Sequence, residues 1–292
     1  MTIPDSFNSK VTITHITTAT AIVDIDGVKF ITDPIFDEAP QSHDRSHVAG
    51  LKPGEFFLIM QEGPAIPIGK LPIIDCVLLS HEDHVDNLDV TGRQLLIGRR
   101  VITTPDGAKN LSDYPGTCAI KPWQTLKFQL GGEEWSITGV ACVHVPGGEV
   151  TGFLLHKNSF GTSPHGRPNV LYFTGDTVFL EDVLYFTGDT VFLEDEFRKL
   201  REKYHVVVAL TNLGQAMLPR PKSPTGFVQI TMGGEDAVKM MEVLEADMLV
   251  PMHFESWTHF TQDGKALEEI FTSGALGSKI KWLSSGKQVN VI

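Results

Sequence analysis

The stretch that most constrains this chain is Leu78 to Asp89, which reads LLSHEDHVDNLD. An apolar run from Ile73 to Leu79 reads as a buried strand and ends at Ser80. His81, Glu82, Asp83, His84 and Asp86 then follow within six positions. A strand that opens at once into imidazoles and carboxylates supplies the side chains that hold borderline divalent metals. One His beside one acid would read as a polar loop capping a strand. Two His and three acids in so short a span favour a metal site, provided other strands deliver ligands to the same place.

The rest of the chain offers such strands. Val11 to Ala21 reads as a strand, and Ala21 to Thr32 as a hairpin turning at Asp26-Gly27 and stopping at Asp33-Pro34. Residues 37 to 72 lack a period and read as an irregular loop near a site mouth, in which His43 and His47 are solvated. Trp123 to Leu130 and Glu134 to Val143 read as strands, the second delivering His144. Pro146-Gly147-Gly148 turns the chain into Val150 to His156. Further strands are expected at Val206 to Leu210 and Asp247 to Val250, the latter followed by His253. Helices are expected at Lys109 to Tyr114, after Glu194, at Ala237 to Leu244 and at Leu267 to Phe271. No linker divides the hairpin-rich first half from the strand–helix second half, so residues 1–292 are expected to form a single domain.

One segment is written twice. VLYFTGDTVFLED occupies Val170 to Asp182 and recurs unchanged at Val183 to Asp195. The fold needs only one such strand. The second copy runs directly into an amphipathic helix, whereas the loop from Lys157 to Asn169 can lengthen at small entropic cost. The second copy is therefore expected to be the native strand. That makes Asp189 the expected ligand of the Thr-Gly-Asp-Thr turn, with Asp176 its counterpart in the first copy.

Charge and cysteine usage narrow the class. The net charge is -12, with no Lys/Arg cluster of the kind that tracks a phosphate backbone, so no nucleic-acid partner is expected. Cys76, Cys118 and Cys142 are scattered and lack CxxC spacing, which fits a reducing compartment. The first ten residues have neither a basic nor an apolar signal-peptide region, and no apolar run approaches a membrane span. A cytoplasmic protein with a small-molecule substrate is expected, and a homo-oligomer is possible.

Metal-competent residues thus sit just past four apolar runs: His81, His84 and Asp86; His144; Asp176 or Asp189; and His253. Their order, together with Asp33-Pro34, Thr151-Gly152-Phe153, Leu213-Gly214 and Pro251-Met252-His253-Phe254, resembles the metallo-β-lactamase fold superfamily. It is most similar to the zinc-dependent hydrolase branch that includes L-ascorbate-6-phosphate lactonase and N-acyl-phosphatidylethanolamine phospholipase D. The resemblance runs from Thr20 to Phe260. It implies an α/β fold of αββα type, two mixed β-sheets packed face to face with helices on the outer faces. It also implies one or two zinc ions, or other divalent metals, at the sheet edge, where zinc-bound hydroxide attacks an ester, lactone or related acyl or phosphoryl bond. Asp86 is the implied catalytic proton acceptor. The chain departs from the family's His-x-His-x-Asp-His signature in two ways: an extra residue separates His81 from His84, and Asn87 stands where the last His is expected. His81 therefore carries over only if the loop bulges, with Glu82 as the alternative ligand. His259 is read as an exposed loop residue, with a place in the pocket lining as the alternative. A catalytically silent metal-binding protein and a phosphodiesterase or nuclease remain the alternative readings.

Overall fold

The computed structural model describes residues 3–144, 149–177, 193–221, 223–273 and 276–292. Three antiparallel strands rich in β-branched residues open it: β1 (Val11–Thr17), β2 (Thr20–Ile25) and β3 (Val28–Thr32). The turn between β2 and β3 falls at Asp26-Gly27, as the Asp-Gly pair requires. A hairpin of one polar and one apolar strand follows, β4 (Gln41–Asp44) and β5 (Phe57–Met60), with the single-turn helix α1 (Ser46–Ala49) between its strands. β6 (Cys76–Leu78), β7 (Arg100–Thr103) and β8 (Thr117–Ala119) then extend the first sheet in parallel from β3. Helix α2 (Pro105–Asn110) precedes β8. The expected helix at Lys109 begins earlier, because Thr104 caps it by accepting from the Gly107 N–H and Pro105 opens its first turn.

The second sheet is built by β9 (Thr125–Leu130), β10 (Glu133–Ala141), β11 (Thr151–Lys157), β12 (Asn169–Phe173) and β13 (His205–Asn212). Helix α3 (Leu193–Lys203) leads into β13. A small hairpin, β14 (Met217–Pro219) with β15 (Phe227–Gln229), precedes helix α4 (Gly234–Leu244). β16 (Met248–Met252), helix α5 (Gly264–Ser273) and β17 (Gln288–Asn290) complete the chain. The sheet orders are β17-β1-β2-β3-β6-β7-β8 and β16-β13-β12-β11-β10-β9.

The two sheets bury a shared core. Phe30 of β3 meets Trp135 of β10 edge-to-face at 4.9 Å, and Leu78, Phe153, Leu210 and Val250 belong to the same cluster. An aromatic pair of this kind adds about 0.5–1.5 kcal/mol beyond its buried area. Phe197 of α3, Met240 of α4 and Phe271 of α5 cover the outer face of the second sheet. Leu95, Leu96 and Leu111 cover that of the first, so the layers are those of an αββα sandwich.

Strand direction gathers the loops. β12, β13 and β16 are parallel, and β10 runs the same way because two antiparallel pairings relate it to β12. Their C-terminal ends therefore open on one edge. The end of β6 joins that edge, because the Thr151 N–H at the start of β11 donates to the Ser80 carbonyl at 3.1 Å.

The first copy of the repeat forms β12, against the expectation that the second copy would. Its apolar strand is reached from β11 through the short loop closed by Thr162–Pro168 pairing. Because the copies are identical, the sequence of the strand itself does not distinguish them. Asp189 lies outside the described residues. So do Pro146-Gly147-Gly148, the expected turn.

Candidate metal centre

The loop after β6 places its residues on two sides. His81 and His84 face His144, with ring centroids 4.7 Å apart for His81–His84, 5.2 Å for His81–His144 and 5.0 Å for His84–His144. Asp86 instead joins Asp176 and His253. In each trio one candidate donor atom per residue lies within 4.8 Å of the others. The extra residue between His81 and His84 is absorbed by the loop, so His81 reaches the site. Glu82 does not: its carboxylate accepts from Asn110 Nδ2 at 2.6 Å, away from the cluster. Asp89 is structural as well, accepting from the backbone N–H groups of Phe36, Asp37 and Gly92.

Asp176 joins the two sides. One of its oxygens lies 3.8 Å from His144 Nε2 and the other 3.5 Å from His253 Nε2. Asn212 Nδ2 donates to Asp176 Oδ1 at 2.6 Å and fixes the carboxylate. The turn that presents Asp176 needs glycine before it. Gly175 has φ +62°, and a Cβ there would come within 2.8 Å of the Thr151 carbonyl and 3.0 Å of Ser80 Cβ.

The imidazoles are oriented through their other nitrogens. His144 Nδ1 donates to the Ile230 carbonyl at 2.5 Å, and a carbonyl only accepts, so Nε2 keeps its lone pair. Ser80 Oγ donates to Asp33 at 2.7 Å and so accepts from His81 Nδ1 at 2.9 Å, which frees His81 Nε2 in the same way. His253 sits at φ +63°, a conformation that costs a non-glycine residue about 1–2 kcal/mol and is held here by its neighbours. Its Nδ1 faces the Leu213 carbonyl at 3.4 Å.

Burial, followed by the charge of His84, holds the His81 pKa well below its ordinary value, and burial pushes His144 down to about 4. Both rings are thus neutral ligands-in-waiting near pH 7. Asp86 and Asp176 are ionised: burial opposes their charge, but the surrounding histidines more than offset it and hold both below the usual carboxylate range.

These residues fit a divalent ion of the zinc class. His81 Nε2 and His253 Nε2 are buried with no hydrogen-bond partner among the described residues, an expensive arrangement unless another acceptor of their lone pairs is present. Donor atoms bonded to one tetrahedral zinc at about 2.0–2.2 Å lie about 3.3–3.6 Å from one another. The separations of 3.2 Å for His84–His144, 3.5 Å for His253–Asp176 and 3.8 Å for His144–Asp176 cluster around that range.

A cleft of about 500 Å³, counting its open mouth, lies over the cluster. The β4–α1–β5 segment contributes Arg45, Val48, Phe56 and Leu58, and the β14–β15 region contributes Met217, Leu218 and Ile230. The stretch expected to be an irregular loop is therefore a hairpin that walls the cleft. Trp257 packs with Ile35 and Met60 instead of lining it.

Two residues were not legible as parts of this centre. His259, expected to be exposed, is buried, with Nε2 3.3 Å from Asp86 Oδ2. Asn212, at the end of β13, gave no sequence signal beyond its place after an apolar strand. Asn87 donates from Nδ2 to Asp33 at 3.1 Å and so supports the residue that orients Ser80.

The family model described as "Beta-lactamase superfamily domain" matches residues 12–253. An uncharacterized protein of Mycobacterium tuberculosis is 25% identical over 248 residues, 81% of this chain and 56% of that protein, so the chain spans little more than half the length of that relative. A metal-dependent hydrolase of Pyrococcus horikoshii is 28% identical over 199 residues, covering 68% of this chain and 74% of its own. Among solved structures, the isothiocyanate hydrolase from Delia radicum gut bacteria superposes with a TM-score of 0.66 at 18% identity, over 95% of this chain and 98% of that one. The chain belongs to the beta-lactamase superfamily and has the metallo-β-lactamase fold.

Proposed function

We propose that the chain is a metal-dependent hydrolase that uses zinc, in one or two ions, to cleave a small ester, lactone or related acyl or phosphoryl compound. The observation that carries this reading is the convergence of His81, His84, His144, Asp86, Asp176 and His253 at one sheet edge, with two imidazole nitrogens left unanswered. The printed description of the Pyrococcus relative, a metal-dependent hydrolase, supports it. Held there, a zinc-class ion supplies Lewis acidity to the attacking water and to the scissile oxygen.

The chain's own residues do the rest. His81, His84 and His144 hold one side, and Asp86, Asp176 and His253 the other. Asp86, on the cleft wall, would accept the proton released by the attacking water where it is not fully occupied in holding the ion. The apolar walls exclude bulk water from the bond, which strengthens every charge interaction beneath them. Arg45 at the cleft makes no ion pair or hydrogen bond through its side chain among the described residues and is available to an anionic substrate group. The acidic balance of the chain favours a small molecule over nucleic acid.

The test is a panel of aryl esters, lactones and phosphodiesters run with metal-stripped and zinc-reconstituted protein. Turnover of one bond class, restored by zinc and absent from Asp176→Ala, is expected. A folded, zinc-loaded protein that turns over nothing across the panel would leave only the silent metal-binding reading.

A further inference from the structure

We propose that His259 is a fourth ligand of the Asp86, Asp176 and His253 group, completing a second metal position with two imidazoles and two carboxylates. This rests on the metal-centre reading above.

Distance is the first ground. His259 Nε2 lies 3.3 Å from Asp86 Oδ2. A charge-assisted N–H···O bond is about 2.7–2.9 Å long, so this contact is long for an ion pair made for its own sake. It matches the roughly 3.3 Å that separates two donors sharing one tetrahedral ion with bonds near 2.0 Å. His253 Nε2 lies 3.9 Å from the same carboxylate oxygen and 3.5 Å from Asp176, so both imidazoles approach Asp86.

Preorganisation is the second ground. The His259 side chain is 3% exposed, although it belongs to a loop between β16 and α5. The loop is pinned on every side of it. The Thr258 N–H donates to the Ile59 carbonyl at 3.1 Å, Met217 N–H to the His259 carbonyl at 3.2 Å, and Thr261 N–H to the Gly214 carbonyl at 3.0 Å. Trp257 Nε1 donates to Thr18 Oγ1 at 3.0 Å, and the Phe260 ring lies 4.4 Å from the imidazole. Such a frame fixes the backbone that carries the imidazole, whose Nδ1 has no hydrogen-bond partner among the described residues.

Donor chemistry is the third ground. Asn87, one residue after Asp86, commits its amide nitrogen to Asp33, and its oxygen is a neutral, hard donor. His259 offers an imidazole nitrogen instead. It lies six residues beyond the last residue matched by the family model, which ends at 253, so the assignment belongs to this chain's own loop.

The experiment is metal titration of the full chain, stripped and refilled with Co²⁺ or Zn²⁺, comparing wild type with His259→Ala, His259→Asn and Asn87→Ala. Elemental analysis gives stoichiometry, and the cobalt visible spectrum reports the ligand field. Wild type is expected to take two equivalents. His259→Ala should keep the first and bind the second at least about 100-fold more weakly, the upper end of what even outer-shell partners of a metal are worth. Retention of the first equivalent certifies that the variant is folded, and if His259→Ala fails to fold, His259→Asn is read in its place. Asn87→Ala should still take two. The proposal is overturned if the His259 variants bind both ions as wild type does, if Asn87→Ala alone loses the second, or if wild type takes only one. A folded wild type that takes none overturns the metal-centre reading itself.

Discussion

The two sides of the centre are built differently. The His81, His84 and His144 side is all imidazole, and two of its three members lie three positions apart in the loop after β6. His81 and His144 each hand their second nitrogen to a fixed oxygen, Ser80 Oγ and the Ile230 carbonyl. The Asp86, Asp176 and His253 side draws each member from a different strand end and mixes charge with neutral donors. The imidazole side still needs the folded sheets, because His144 comes from beyond β10 and is set by the distant Ile230 carbonyl. Buried carboxylates need partners from across the fold to stay charged. The first side is thus drawn from two segments of the chain, and the second from three.

The comparison breaks most completely at Asp176, the residue that both sides share. Asp176→Ala is expected to weaken metal binding on both and to lower kcat/KM by more than about 1000-fold, read by metal analysis beside a steady-state assay. Substitutions confined to one side should separate them. His144→Ala is expected to weaken the imidazole side and leave a carboxylate-bound equivalent, whereas His253→Ala should do the reverse. If the two variants lose metal indistinguishably, the sides are not separate.

Smaller effects are expected one step out. Asn212 fixes Asp176, and Ser80 fixes His81, so Asn212→Ala and Ser80→Ala should each weaken metal affinity by roughly 10–100-fold without abolishing it. Asn212→Ala should have the broader effect, because it touches the shared ligand. Equal, undiminished affinity in both would show that these bonds are incidental.

Acid should also tell the sides apart in the metal-free protein. Burial holds His144 at about 4 in the folded chain, below its ordinary 6.5. The unfolded chain therefore binds the proton first, and stability present above pH 6.5 is lost as pH falls towards 4, by up to about 3 kcal/mol from this residue. Asp86 and Asp176 lie below their ordinary 3.8, so their contribution persists until lower pH. Denaturant melts of metal-free wild type should lose stability from pH 6.5 downward, and His144→Ala should make that limb shallower, with buried His81 supplying part of what remains. A slope that begins only below pH 4 would assign acid sensitivity to the carboxylates.

How much of this was readable beforehand follows the same division. The Asp-Gly turn and the placing of His144 and His253 just past apolar strands come from apolar periodicity and local turn chemistry, which short windows carry, whereas the αββα layering is implied by the family resemblance. Ile73, expected in a buried strand, is 84% exposed, because only Cys76–Leu78 pair with neighbours. The β4–β5 hairpin escaped notice because Gln41–Asp44 has no apolar alternation to announce it. His259 escaped because its burial is set by Thr18, Ile59, Gly214 and Met217, all distant in sequence. The choice between identical repeat copies cannot be made from composition at all, because the two carry the same residues.

The most direct test of the central claim is metal analysis of purified, exhaustively dialysed wild-type protein beside Asp176→Ala. The predicted result is stoichiometric zinc-class metal in the wild type and a clear loss in the variant. A folded wild type carrying only trace metal, with no uptake on addition of zinc, would contradict it.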